Sequence, residues 1–542
     1  MIQLQRALRG LAALCFSAAL VHFAIPYFGL SKGLLAFPTA YLTLATVAVT
    51  MVAAVWPATS PRGRLWRIEY VALVLATVLA IPFAFSAATF GTMDIGSILI
   101  TMQENSAADV WKIGLEGFSQ DIFGFAVATA LLLGTSAFLI TRVSWFRWIA
   151  LCIAGIAVVT SPVTVFAVDK LLPNPAHALI VPQRDVQPPV LLAAPERQKN
   201  LIVIYMESVE RTYDVIPATA TAFGPLRQID RQAISVRNIR QLNGTGFTAG
   251  GIVATQCGVP LYPNGVFAVQ MNQSGTLHTG VTIEQFMPGV TCLGDILARA
   301  GYTASFLTGS DPGSFAIGSF FQTHGYQHIS GVASVPAWQT ETRRNIWGVN
   351  DDPLFEQAGV ELDALAAGGK PFVLSIETIS THGPDGFLDK SCTFQAAVKS
   401  NIPAAIHCTG LHVQGIIDRV EALGLTEDTV IAVMNDHLSM KNTVYADLLA
   451  MGDKRSNYFV LLGAGPARVI EKPGTMIDVF PTLLEALGYQ IKEGRANMGV
   501  SLLSEYPTLT QTLGLDVLND AVDGHTELQR LLWSDAAATA QK

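Results

Sequence analysis

Glu207, Thr248, His382, Asp436 and His437 combine reactive residue types with positions at the ends of apolar runs. Glu207 follows LIVIYM, Asp436 and His437 follow TVIAVMN, and His382 follows FVLSIETIST. Thr248 lies in GTGFTAGG, ahead of the apolar stretch IVATQCGVPL. Two carboxylates and an imidazole are the oxygen and nitrogen donors that hold Mn²⁺, Zn²⁺ or Mg²⁺. A hydroxyl at a helix start beside such a cation is a nucleophile. The helix dipole, free backbone N–H groups and the cation's charge all favour its alkoxide and an anionic phosphoryl group. The set therefore points to metal-assisted hydrolysis or group transfer. Each residue also has an ordinary reading alone: a solvated strand-end Glu, an Asp-His turn, a helix-capping Thr. Their shared placement, at strand ends and one helix start, carries the argument.

Those positions need a scaffold of parallel strands. LIVIYM, YTASFL, PFVLSIE, TVIAVM and YFVLLG read as strands. The stretch from Thr248, LGDILARAG, VQGIIDRVEALG and MIDVFPTLLEALG read as helices. The alternation predicts an α/β domain with a mostly parallel sheet, whose functional crevice opens beyond the carboxyl ends of its strands.

The composition adds a second part. Half of the 542 residues are apolar and only 14% are charged, too hydrophobic for an ordinary soluble enzyme. Segments Leu8–Leu30, Leu34–Trp56, Leu65–Ala87, Ile122–Ile140 and Trp145–Val168 are each about the ~20 residues of a membrane span. They predict a five-span anchor over residues 1–170. Arg6 and Arg9, then Arg62, Arg64 and Arg67, then Arg142 and Arg147 fall on alternate loops, whereas the Ala88–Asp121 loop is acidic on balance. The positive-inside rule places the N-terminus in the cytoplasm and everything after Val168 outside. Residues 171–199, proline-bearing and without periodicity, read as a linker, and 200–542 as the catalytic domain. Cys257, Cys292, Cys392 and Cys408 form an even set in that domain, as an oxidising compartment favours. The sequence-local pairs Cys257–Cys292 and Cys392–Cys408 are expected, the second stapling a loop with little patterning of its own. A net charge of −8 without a basic run outside the membrane flanks argues against a nucleic-acid partner.

MESVE, GTGFTAGGIVATQCGVPL, STHGPDGF and NDHLSM resemble signatures of the alkaline phosphatase/sulfatase superfamily. They are similar in particular to those of membrane-anchored phosphoglycerol transferases acting on periplasmic glucans. The anchor is similar to that of lipoteichoic acid synthases. The resemblance implies a sulfatase-like fold in which Glu207, Thr248, Asp436 and His437 ligate one divalent metal, Mn²⁺ before Zn²⁺ or Mg²⁺. It makes Thr248 the nucleophile and His382 the residue that contacts the phosphoryl group or leaving oxygen. RRNIWGVNDD resembles the stretch forming a glycerol-phosphate pocket, which nominates Arg344 and Trp347. The implied protein of the bacterial inner membrane has a periplasmic catalytic domain. It moves phosphoglycerol from phosphatidylglycerol to a glucan and releases diacylglycerol. A phosphoethanolamine transferase, a lipoteichoic-acid-synthase-like polymerase and an inactive glucan-binding module are the alternatives. A true sulfatase would need a modified Cys or Ser followed by Pro and Arg, which Thr248-Ala249-Gly250-Gly251-Ile252 lacks.

Overall fold

A computed structural model of the chain describes residues 7–20 (except 9 and 13), 66–90, 107–142, 145–164, 174–261 and 285–534. The described residues fall into two compact units, the second taking the chain from Asn174 onward.

The first unit contains helices α1 (Trp66–Phe90), α2 (Ala107–Arg142) and α3 (Phe146–Val159). Among the described residues, windows in α1 (Ile68–Phe85) and α2 (Ile122–Ile140) are long and apolar enough to cross a membrane. The expected span Leu34–Trp56 lies outside the described residues, as do Arg6, Arg9, Arg62 and Arg64, and Leu8–Leu30 is described only in part. Two expectations are corrected. The acidic loop drawn to Asp121 is helical from Ala107. The segment drawn as Trp145–Val168 is broken: its first helix ends at Val159, residues 162–164 are helical again after the turn, with Pro162 lacking the N–H that would continue the ladder, and residues 165–168 lie outside the described residues. Arg147, expected in a loop, lies on α3 and grips the buried Glu69 of α1, with Nε at 2.8 Å from Oε1.

The second unit is built on an eight-stranded sheet. Its strands are β1 (Asn200–Met206), β2 (Ile234–Val236), β3 (Thr303–Thr308), β4 (His328–Ser330), β5 (Phe372–Glu377), β6 (Thr429–Asn435), β7 (Phe459–Leu462) and β8 (Arg468–Ile470), in the spatial order β8-β2-β7-β6-β1-β5-β3-β4. The central strand β1 is apolar without alternation because both faces are covered. Leu201, Val203 and Tyr205 enter one core, and Ile202, Ile204 and Met206 enter the other. The first core is closed by helices α4 (Thr248–Cys257), α5 (Leu293–Arg299) and α6 (Val479–Ala486). The second is closed by α7 (Asp351–Ala367) and α8 (Ile402–Ala422). Each fully buried aliphatic side chain contributes about 1.5–3 kcal/mol, so this sheet is the rigid base for the residues at its edge.

The sheet is mixed. Strands β1, β3, β4, β5 and β6 pair in parallel, but YFVLLG, which forms β7, runs antiparallel to both β6 and β2. No crossover separates β6 from β7. The chain leaves β6 at Asn435 and re-enters at Phe459, opposite Met434, so the intervening loop begins and ends at the same edge of the sheet. Two further sequence boundaries shift. VQGIIDRVEALG is only the second half of α8, which starts at Ile402 with Pro403 in its first turn, a position where proline's missing N–H costs nothing. The expected linker is folded from Asn174 onward: Ile180 and Val186 are buried in the first core, and Leu191 pairs with Ile491.

The structure joins Cys257 to Cys292 and Cys392 to Cys408. The first bond links the last residue of α4 to the residue capping α5. The second ties Cys392 to Cys408, within α8, and the segment expected to lack pattern is helical from Ile402 onward.

Candidate active site

Strand register assembles the site. Met206 of β1 lies opposite Asn435 of β6, so the residues that follow, Glu207 and Asp436, leave the sheet side by side. On the other flank Tyr205 pairs with Glu377 of β5, which brings the loop from Thr378 to His382 to the same edge.

Glu207 is held from three directions. Its backbone N–H donates to Thr378 Oγ1 at 3.0 Å, its carbonyl accepts from the Thr381 hydroxyl, and Ser208 Oγ donates to Oε1 at 2.7 Å. Ser208 has a left-handed backbone, φ 58°. It directs its N–H to Asp436 Oδ1 at 2.8 Å. Such a conformation costs a non-glycine residue about 1–3 kcal/mol and concentrates at functional sites.

His437 Nδ1 lies 2.8 Å from the Leu438 carbonyl, which can only accept, so this nitrogen carries the proton. Nε2 faces the two carboxylates, 3.3 Å from Asp436 Oδ2 and 3.6 Å from Glu207 Oε1. Asp436 Oδ2 is buried without a hydrogen-bond partner among the described residues. Donor atoms of Glu207, Asp436 and His437 all lie within 4.8 Å of one another. An orphaned carboxylate oxygen and an imidazole nitrogen aimed at one point fit a divalent cation, which would take the place of a proton there. The electrostatics agree. Burial, then the charge of Glu207, pushes Asp436 up to about 7. Burial alone would lower His437, but Asp436 and Glu207 outweigh it and raise the imidazole. The cluster is short of positive charge.

Thr248 is the first residue of α4, after the N-cap Phe247, and among the described residues no backbone N–H donates to its hydroxyl. Its Oγ1 instead lies 3.3 Å from Glu207 Oε2. The glycines after it explain how the helix comes so close. A Cβ on Gly251 would stand 1.9 Å from the Asp436 carbonyl oxygen, and one on Gly250 would stand 2.6 Å from the Gly244 carbonyl.

His382 packs against Trp347, ring centroids 4.1 Å apart and planes tilted by 31°, and its Nδ1 donates to the Gly383 carbonyl at 2.9 Å, leaving Nε2 free of a proton. Desolvation pushes this imidazole down to about 4. Trp347 is carried by a hairpin of Arg344–Asn345 and Gly348–Val349, and its backbone N–H is fixed by Asn345 Oδ1 at 2.7 Å. The structure thus brings Trp347 to the site. Arg344 is exposed on the same hairpin, with no ion pair among the described residues, whereas its neighbour Arg343 is taken up by Glu341 and Glu356.

Sequence reasoning missed Glu377, Ser208, Thr378 and Thr381. Glu377 ends FVLSIE as Glu207 ends its own strand, a signal that could have found it. It is buried, and burial raises it to about 8, with Asp436 and Glu207 adding to the shift.

Known proteins are similar to parts of this chain. Phosphoglycerol transferase I of Salmonella arizonae is 32% identical over 323 residues, which cover 57% of this chain and 40% of that relative, so the chain spans under half the length of the curated relatives it matches. Among solved structures, a protein in the alkaline phosphatase superfamily from Vibrio parahaemolyticus superposes with a TM-score of 0.46 at 20% identity, covering 59% of this chain and 73% of its own. The integral membrane lipooligosaccharide phosphoethanolamine transferase A from Neisseria meningitidis gives 0.45 at 14% identity, covering 92% and 99%. The sulfatase family model matches residues 199–489, a stretch that begins just before β1 and contains Glu207, Thr248, His382, Asp436 and His437, and on that match the chain belongs to the sulfatase family.

Proposed function

We propose that this protein is a membrane-anchored, metal-dependent phosphotransferase that moves phosphoglycerol from phosphatidylglycerol to a glucan outside the cytoplasmic membrane. The observation that carries the reading is the Thr248 hydroxyl beside the Glu207 carboxylate, free of any capping role, at a helix N-terminus. The likeness to phosphoglycerol transferase I supports this choice of group and donor. Thr248 Oγ attacks the lipid phosphorus as its hydroxyl gives up its proton, the P–O bond to diacylglycerol breaks with the departing ester oxygen taking up one proton, and phosphoglycerol remains on Thr248. An acceptor hydroxyl then attacks the same phosphorus and frees the threonine. The unprotonated Nε2 of His382 suits it to receive the acceptor's proton. Glu207, Thr248, Asp436 and His437 would hold the divalent cation, Mn²⁺ as first choice. When bound it supplies Lewis-acid neutralisation of the phosphoryl oxygens and a lowered hydroxyl pKa. Arg344, free on the Trp347 hairpin, offers a guanidinium to the glycerol phosphate.

The anchor reading retains five spans over residues 1–170, an N-terminus in the cytoplasm and a periplasmic catalytic domain in the bacterial inner membrane. The Arg147–Glu69 pair supports it by setting the first turns of α1 and α3 side by side, as spans entering from one face require. A periplasm-specific reporter fused after Lys542 should be active, and activity of a cytoplasm-only reporter there would overturn the topology. For the reaction, purified full-length protein receives glycerol-labelled phosphatidylglycerol with and without Mn²⁺ and glucan. Label should move to glucan only when both are present. Label retained in lipid under every condition would reject the transferase.

A further inference from the structure

A second group of metal-ligand type lies outside the site described above. Asp352 stands in the first turn of α7, Asp389 in the loop that follows His382, and His412 on α8, one turn beyond the disulfide-bonded Cys408. His412 Nε2 is 3.1 Å from Asp352 Oδ1 and 3.4 Å from Asp389 Oδ2, and the three donor groups lie within 4.8 Å of one another. Bonds of 2.0–2.2 Å to a tetrahedral Zn²⁺ place its ligand atoms about 3.4 Å apart, the separations found here. The Asp389 side chain is 1% exposed, and its Oδ2, turned toward His412, has no hydrogen-bond partner among the described residues; neither has His412 Nε2. No lysine or arginine among the described residues forms an ion pair with either aspartate.

The remaining bonds orient these groups as outer contacts orient metal ligands. Asp352 Oδ2 accepts from Ser391 N at 3.2 Å and its Oδ1 accepts from Ser391 Oγ, while Asp389 Oδ1 accepts from Asp352 N at 3.2 Å. His412 lies flat on Phe355, centroids 5.1 Å apart. The neighbouring Asp351 ties the same helix end to the loop before His382, accepting from Ile379 N and Ser380 N, each at 3.0 Å.

We propose that Asp352, Asp389 and His412 form a second divalent-cation site, of the Zn²⁺ class, that clamps the loop carrying His382 to α7 and α8. Its role is positional, and it stands independently of the function proposed above. The competing occupant is a proton on His412, which would make the group a plain ion triad.

The test uses the full-length protein in detergent, stripped with chelator, reloaded with Zn²⁺, desalted and counted by elemental analysis. Wild type should retain two ions per chain, Asp436→Asn one, Asp389→Asn and His412→Gln one each, and the Asp436→Asn/Asp389→Asn double variant none. Wild-type stoichiometry in Asp389→Asn and His412→Gln would overturn the proposal and leave the Thr248 site untouched. If those variants fail to fold, the Asp436→Asn/His437→Gln double variant decides, because it leaves the Thr248 site without an imidazole ligand. One retained Zn²⁺ whose X-ray absorption shows an imidazole among oxygen donors supports the second site, and no retained ion, or an ion held by oxygen donors alone, rejects it.

Discussion

The hydroxyl of Thr248 meets the carboxylate of Glu207 at 3.3 Å, across a junction between the first turn of α4 and the end of β1. Because that hydroxyl caps nothing, Thr248→Ala should lose less than the ~1 kcal/mol typical of a removed cap. Transfer should fall by at least a thousandfold, and the phosphoglycerol adduct on the Thr248 peptide should vanish from the mass spectrum. Thr248→Ser keeps a nucleophile with more rotamer freedom and should retain partial activity. A folded alanine variant within tenfold of the parent would place the nucleophile elsewhere.

Metal affinity should depend on pH through Asp436, which burial raises to about 7 in the metal-free protein. Below that pH a cation must displace a proton, so Mn²⁺ affinity should drop toward pH 6 and proton release should appear in calorimetry run in two buffers. Stability follows the same sign. Asp436 and His437 both have raised values, so the folded metal-free chain binds protons more tightly than the unfolded one. The contribution of these two groups to stability is therefore fully present below the ordinary carboxylate range and is lost as pH rises through about 7. Melting after chelation should show this decline, and added Mn²⁺ should abolish it. Affinity equal at pH 6 and pH 8 would contradict the assignment.

Gly251→Ala would normally favour a helix by about 1 kcal/mol. Here the new Cβ would stand 1.9 Å from the Asp436 carbonyl oxygen, so α4 must shift away from the sheet edge. The expected net result is destabilisation of about 1–3 kcal/mol together with weakened Mn²⁺ binding. A variant with raised melting temperature and intact metal affinity would show that the contact yields easily.

Trp347→Ala removes the ring packed against His382. Since desolvation is the main cause of the low imidazole value, His382 should titrate closer to its ordinary range, and NMR of the labelled ring would detect the rise. Trp347→Phe should restore most of the shift. No movement in either variant would mean that the indole does not shield the ring.

Legibility followed the range of the interactions. Strand runs such as LIVIYM and TVIAVMN, the helix beginning at Thr248 and the acids at strand ends are local patterns, because a strand covered on both faces must be apolar throughout and a reactive residue must sit where it stops. Membership of the sulfatase family was legible in the same motifs. Tertiary structure decided what depends on distant partners. It reversed β7, since the loop after Asp436 returns to the edge it left. It drew residues from Asn174 onward into the second unit through the buried Ile180 and Val186. It also recruited Glu377 and Ser208 around Glu207 and Asp436, and joined Asp352, Asp389 and His412 across segments that no spacing rule connects. Apolar periodicity is written along the chain because burial acts on each residue in turn, whereas the grouping of polar atoms depends on strand order and register, which exist only once the chain has closed on itself.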